Sequence, residues 1–136
     1  RLVNLHCPPF VARLFMRWQL QEYKTTVEDV EACIVHDYKG QTEFNPNKGG
    51  FDSEELLDYW NEIVELPNIN LVGLMTMAPL SFDLTQRKVL FKECRLFADK
   101  LRLKDCSMGM SADWKEAVES GATWIRLGTS LFGSRL

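Results

Sequence analysis

The stretch Cys106–Gly133, CSMGMSADWKEAVESGATWIRLGTSLFG, decides how the rest of the chain is read. A short apolar run gives way to a Gly-containing turn, then a helix, a second apolar run and a Gly-Thr-Ser turn leading into Leu131 and Phe132. The order is strand, loop, helix, strand, loop. Both loops follow the carboxyl end of a strand, and both offer unhindered backbone N–H groups and hydroxyls at which an anion such as phosphate can sit. This is the end of the molecule at which function is expected.

Working outward, Thr85–Arg102 carries Val89, Leu90, Cys94, Phe97 and Leu101 at helical spacing, and Ile69–Met77 reads as a buried strand in which Gly73 lets a neighbour approach closely. Before them, Asp52–Glu65 reads as an acidic amphipathic helix with Asp52 and Glu55 at its cap and Leu56, Leu57, Trp60, Ile63 and Val64 on its apolar face. Its carboxylates Glu54, Glu55, Asp58 and Glu62 fall mostly on the solvated side. Asn45–Gly50 is the strongest turn cluster in the chain. Further upstream, Thr25–Glu28 has the form of a capping box, and Val27, Val30, Glu31 and Ile34 continue at helical spacing, so a short helix is expected there, with a brief strand at Gln41–Phe44. Val11, Leu14, Phe15 and Trp18 lie on one face of another helix and carry no chemistry. The second half alternates helix and strand with crossovers long enough for parallel βαβ units. A doubly wound sheet and part of a barrel both fit, and periodicity does not choose between them.

Composition narrows the function. The chain has 136 residues, 46% hydrophobic and 26% charged, as one soluble globular domain does. A net charge of −3, with 16 basic residues scattered among 19 acidic ones, argues against a nucleic-acid surface. The apolar runs fall far short of the ~20 residues of a membrane helix. Cys7, Cys33, Cys94 and Cys106 make no CxxC pair and have only His6 and His36 to join them, so no metal site is expected, and reduced thiols in a cytoplasmic protein are the better reading.

The choice of fold comes from a resemblance. Ser107-Met108-Gly109-Met110-Ser111-x-Asp113, then Ala117, Gly121-Ala122-Thr123, Arg126-x-Gly128-Thr129 and Phe132-Gly133-x-Arg135, together with Gly73-Leu74-Met75-Thr76, resemble the signature of the pyridoxal-phosphate homeostasis protein family. The resemblance is strong over residues 48–136 and weaker over 24–44, where Lys24-Thr25-x-Val27-Glu28-Asp29-Val30-x-Ala32 and Gly40–Phe44 are similar to the start of the family's barrel; residues 1–23 match nothing in it. It implies an α/β fold of the alanine racemase N-terminal type, a (β/α)8 barrel, and binding of pyridoxal 5'-phosphate without established turnover. A complete barrel takes roughly 250 residues and about 200 at the lower limit, so this chain is expected to be a partial or internally shortened barrel that either stays open, is completed by another copy through self-association at its open sheet edges, or represents an incomplete product.

The cofactor's chemistry asks for a lysine amine to form a Schiff base, a partner for the ring nitrogen and donors for the phosphate. By the resemblance these are Lys24, Arg126, and Ser107 with Gly128 and Thr129. An arginine facing the ring nitrogen discourages its protonation, which suits a carrier better than a transaminase. Each assignment has a structural alternative: Lys24 as a surface lysine, Arg126 in a plain ion pair, and Met75 and Met77 as core rather than ring contacts. Ser111 and Asp113 are expected to serve as N-cap and first-turn acid of the following helix. Two other functional classes stay open, a racemase-like enzyme on the same barrel, which needs an acid/base group from elsewhere, and a remnant that holds no cofactor.

Overall fold

The computed structural model describes residues 3–5, 30–36 and 50–134. Among these, five strands form one parallel sheet: β1 (Val3–Leu5), β2 (Val30–Val35), β3 (Ile69–Met75), β4 (Asp105–Met110) and β5 (Trp124–Arg126), side by side in chain order. A doubly wound sheet reverses its direction of growth at a switch point. Here every strand is added on the same side as the one before it, which is how a barrel is wound. Among the described residues, five helical segments accompany the strands: α1 (Ser53–Asp58), α2 (Trp60–Val64), α3 (Leu84–Lys100), α4 (Trp114–Glu119) and α5 (Thr129–Phe132).

The segment expected to be helical across Val30–Ile34 is strand β2. Ala32, Cys33 and Ile34 are all fully buried, so the strand has no polar side, and its apolar residues matched a helical spacing by coincidence. Val30, Ile34 and Val35 are β-branched, which favours the extended form. The expected helix over Val11–Trp18 and strand at Gln41–Phe44, like the Asn45–Gly49 part of the turn, lie outside the described residues.

The sheet has two apolar faces, and the alternation between them along β3 is interrupted at Val72, which the pairing with β2 skips. On one, Ile34, Leu74, Cys106 and Met108 join Phe51, Leu56, Ile63, Leu90, Phe91, Cys94, Ala98 and Ala117 in a single apolar core beneath the helices. On the other, Cys33, Val72 and Met75 form a smaller cluster with half-buried Met77 against it. The strands are brought together at Gly73, which pairs with Asp105; a Cβ at residue 73 would lie 2.1 Å from the Asp105 carbonyl oxygen, so only glycine fits there.

Helix starts follow the side-chain chemistry. Asp52 Oδ1 accepts the Glu54 and Glu55 N–H groups, each at 2.9 Å. Asp83 and Gln86 close a reciprocal capping box at the start of α3. The apolar faces are narrower than periodicity suggests. Leu57, Val64 and Val89, expected to be buried, are 44%, 48% and 53% exposed.

Candidate functional site

Strands β4 and β5 carry the site because their carboxyl ends open into adjacent loops. Along β4, Cys106 and Met108 point into the helix-side core, so Ser107 between them faces the other way. Arg126 at the end of β5 reaches across the same face: its Nη1 donates to the Ser107 carbonyl at 2.7 Å and the Ser107 hydroxyl at 2.8 Å, and its Nη2 donates to the Thr76 carbonyl at 2.9 Å. All three acceptors are neutral oxygens, so these bonds hold the guanidinium in place without cancelling its charge. Burial pulls the Arg126 pKa down from its ordinary value, with the Asp113 carboxylate opposing that shift.

The second part of the site lies in the loops. After Met110, Gly109 having adopted a positive φ of 87°, the chain turns so that the Ser111 hydroxyl meets the loop after β5. Ser111 Oγ accepts the Gly128 N–H at 3.3 Å and the Ser130 N–H at 3.1 Å. Two backbone donors therefore converge on one oxygen at the carboxyl end of the sheet. The hydroxyl oxygen there stands in for what an anionic oxygen would be to the same donors. Gly128, Thr129 and Ser130 are exposed, and a side chain at residue 128 would meet nothing within 4 Å, so the cradle opens to solvent.

The residues expected at the site are thus divided between two neighbouring groups. Arg126 and Ser107 meet directly, with Ser107 3% exposed behind the guanidinium. Gly128 and Thr129 lie in the open loop. Lys24 is outside the described residues. Met75 is buried on the site's face of the sheet with Cys33 and Val72, and Met77 is half-buried beside them. Burial foremost pushes the Cys33 thiol up to about 12, so it stays protonated and unreactive at neutral pH.

Ser111 and Asp113 do not play the roles expected of them. Ser111 holds the last loop. Asp113 sits at the N-cap position of α4, but its side chain makes no capping bond; Oδ1 accepts the Met110 N–H at 2.8 Å and Oδ2 accepts from Arg87 Nη1 at 2.9 Å. The local pattern Ser-x-Asp before a helix suggested capping, and only the contact between distant loops shows otherwise. Among the described residues, no three His, Cys, Asp or Glu side chains gather in a way that could hold a metal ion. No helix among them is long and apolar enough to cross a membrane.

A parallel sheet wound in chain order, with backbone donors and a half-buried arginine at its carboxyl edge, is a barrel-type α/β domain. The chain belongs to the alanine racemase N-terminal domain family, whose model matches residues 12–136. It is 43% identical over 96 residues to the pyridoxal phosphate homeostasis protein of Synechocystis, a match covering 66% of this chain and 44% of that protein. To the protein of the same name from Pseudomonas aeruginosa it is 33% identical over 128 residues, covering 92% of this chain and 54% of the other. The chain therefore spans about half the length of these curated relatives. Among solved structures it is similar to PipY of Synechococcus elongatus without PLP, with a TM-score of 0.80, 32% identity, and coverage of 97% of this chain and 61% of that one. The PLP-bound form of PipY matches with a TM-score of 0.76 and 30% identity over 97% of this chain and 60% of that one. Alanine racemase from Corynebacterium glutamicum, at 18% identity and a TM-score of 0.57 over 82% of this chain and 32% of that one, shares the fold.

Proposed function

We propose that the chain binds pyridoxal 5'-phosphate at the carboxyl ends of β4 and β5 and serves in vitamin B6 homeostasis as a holder of the cofactor rather than as a catalyst. The observation that carries this reading is the convergence of the Gly128 and Ser130 N–H groups on a single oxygen beside Arg126. Relatives named for pyridoxal phosphate homeostasis, and a similar structure solved with PLP, support the choice of ligand.

The residues present fit the group. Gly128, Thr129 and Ser130 would bind the phosphate through backbone N–H groups and hydroxyls, with Ser111 at the edge of the cradle, and the open space at residue 128 admits a bulky anion. Arg126 would face the ring nitrogen, with Ser107 and the Thr76 carbonyl orienting its guanidinium from behind. When bound, the cofactor supplies an aldehyde that captures amines and a ring that can draw electrons from them. A guanidinium against the ring nitrogen keeps that nitrogen unprotonated, because two cations in contact repel, and the ring is then a weak electron sink. Such a site retains the cofactor without driving amino-acid chemistry. Lys24 is the lysine that the sequence resemblance assigns to the aldehyde.

The test is to add pyridoxal 5'-phosphate, reduce with borohydride and locate the modified residue by peptide mass mapping. Selective modification of Lys24 supports the whole assignment. Selective labelling of another lysine keeps the cofactor reading and moves the anchor. No selective labelling, together with no saturable binding of the cofactor, overturns the proposal. Turnover of an amino acid by the purified chain would overturn the holder role and favour the racemase-like one.

A further inference from the structure

Asp113 has an unusual placement for an acid at the start of a helix. Its carboxylate is 2% exposed and contributes no cap to α4, because both oxygens are engaged elsewhere. One closes the turn Met110–Asp113 by accepting the Met110 N–H, and the Asp113 N–H returns a bond to the Met110 carbonyl at 3.1 Å. The other accepts from Arg87, which is 12% exposed. Arg87 uses the rest of its fork on the loop before α3: Nε donates to the Phe82 carbonyl at 2.8 Å and Nη2 to the Leu80 carbonyl at 3.2 Å. A single guanidinium thus joins the loop after β3 to the loop after β4. Of the two residues enclosed by the Met110–Asp113 turn, Ser111 and Ala112, the first has the hydroxyl that receives the Gly128 and Ser130 N–H groups.

We infer that Arg87 and Asp113 are positioning residues for the anion cradle: through the Met110–Asp113 turn they fix Ser111, and through Ser111 they fix the loop after β5. Neither touches the cradle's donors, so both act through the turn. The pair is placed to do this because it is almost dry. A lysine in place of Arg87 would keep the charge but could not reach Leu80, Phe82 and Asp113 together, since it lacks the planar fork. An asparagine in place of Asp113 keeps the shape and one acceptor oxygen but loses the charge-assisted bond. In either variant the turn loosens first and the distant N–H groups of Gly128 and Ser130 lose their fixed partner.

The inference rests on the proposed cofactor reading only for the identity of the ligand, so two separate measurements test it. In the ligand-free chain, proton exchange with water at the Gly128 and Ser130 amides, followed by NMR, is expected to quicken several-fold in Asp113→Asn and in Arg87→Lys. Asp52→Ala, which removes a helix cap elsewhere, is expected to leave both amides unchanged. In binding, the preference for pyridoxal 5'-phosphate over pyridoxal, which lacks the phosphate, is expected to fall about tenfold in Asp113→Asn, the equivalent of about 1.4 kcal/mol. Unchanged exchange at Gly128 and Ser130 in a folded Asp113→Asn variant overturns the inference. If that variant does not fold, Arg87→Lys is judged by the same outcome. A wild-type chain with no preference for the phosphorylated form overturns the cofactor reading, while the exchange measurement still decides the positioning role.

Discussion

Ile34, Leu74, Cys106 and Met108 face the helices and merge into one continuous apolar core, whereas Cys33, Ser107 and Arg126 on neighbouring positions of the same sheet face the opposite way and include a half-buried cation on neutral oxygens. The period-two alternation of a strand makes this division possible, since adjacent residues answer to different demands. Burial beneath the helices stabilises the fold in proportion to apolar area. The other face carries groups that are expensive to bury and are kept oriented by backbone carbonyls. Stability and binding are therefore expected to respond to different substitutions, although the residues involved are a few ångströms apart.

The largest separation is expected from Phe91→Ala. Phe91 is fully buried under the sheet, and losing its ring should lower unfolding stability by about 4 kcal/mol, read from the urea midpoint. A shift well below 2 kcal/mol would mean that the helix-side core repacks freely and that the contrast between faces is weak.

His36 is the polar member of the helix side, 2% exposed, with Nε2 paired to Ser53 Oγ at 3.0 Å and its ring 5.0 Å from that of Phe97. Burial lowers its pKa from 6.5 to about 4, outweighing the nearby Asp52 carboxylate. The folded chain thus binds fewer protons at this residue than the unfolded chain between those values. Its contribution is full above pH 6.5 and is lost as pH falls toward 4, for a total on the order of 3 kcal/mol. Urea titrations at pH 7 and pH 4.5, compared between wild type and His36→Gln, check this. The substitution should flatten the pH dependence over that interval.

Arg126→Met sharpens the comparison from the other face. It should lower affinity for pyridoxal 5'-phosphate at least tenfold, equivalent to about 1.4 kcal/mol, while changing unfolding stability by about 1 kcal/mol or less. A large loss of stability with unchanged affinity would make Arg126 a structural residue and put the binding surface elsewhere.

The smallest effect tests a feature belonging to neither face. Asp83→Ala removes the capping box of α3 and should cost about 1 kcal/mol in stability without altering cofactor affinity.

How much of this was legible in the sequence depended on the range of the interactions involved. The strands at Ile69 and Cys106, the close approach at Gly73 and the loops beside β4 and β5 could be read from local pattern, because glycine placement and apolar runs constrain the backbone directly. Strand β2 could not be read in the same way, since a strand buried on both faces has no alternation and mimics a helix at short range. Arg126 was identified through resemblance, and its partners, the Ser107 and Thr76 oxygens, are set by register between strands far apart in sequence. The roles of Ser111 and Asp113 escape local pattern for the same reason. A serine and an acid before a helix look like caps, and nothing local reveals that Arg87, 26 residues upstream of Asp113, will claim its carboxylate.

The central claim is that the Gly128–Ser130 loop and Arg126 together hold the phosphorylated cofactor. It is tested most directly by titrating the chain with pyridoxal 5'-phosphate while following the backbone amides by NMR. Saturable shifts of the Gly128 and Ser130 amides, accompanied by the Arg126 side-chain signal and absent with pyridoxal, are the predicted result. Saturable binding that leaves those amides unmoved, or no binding at all, would contradict it.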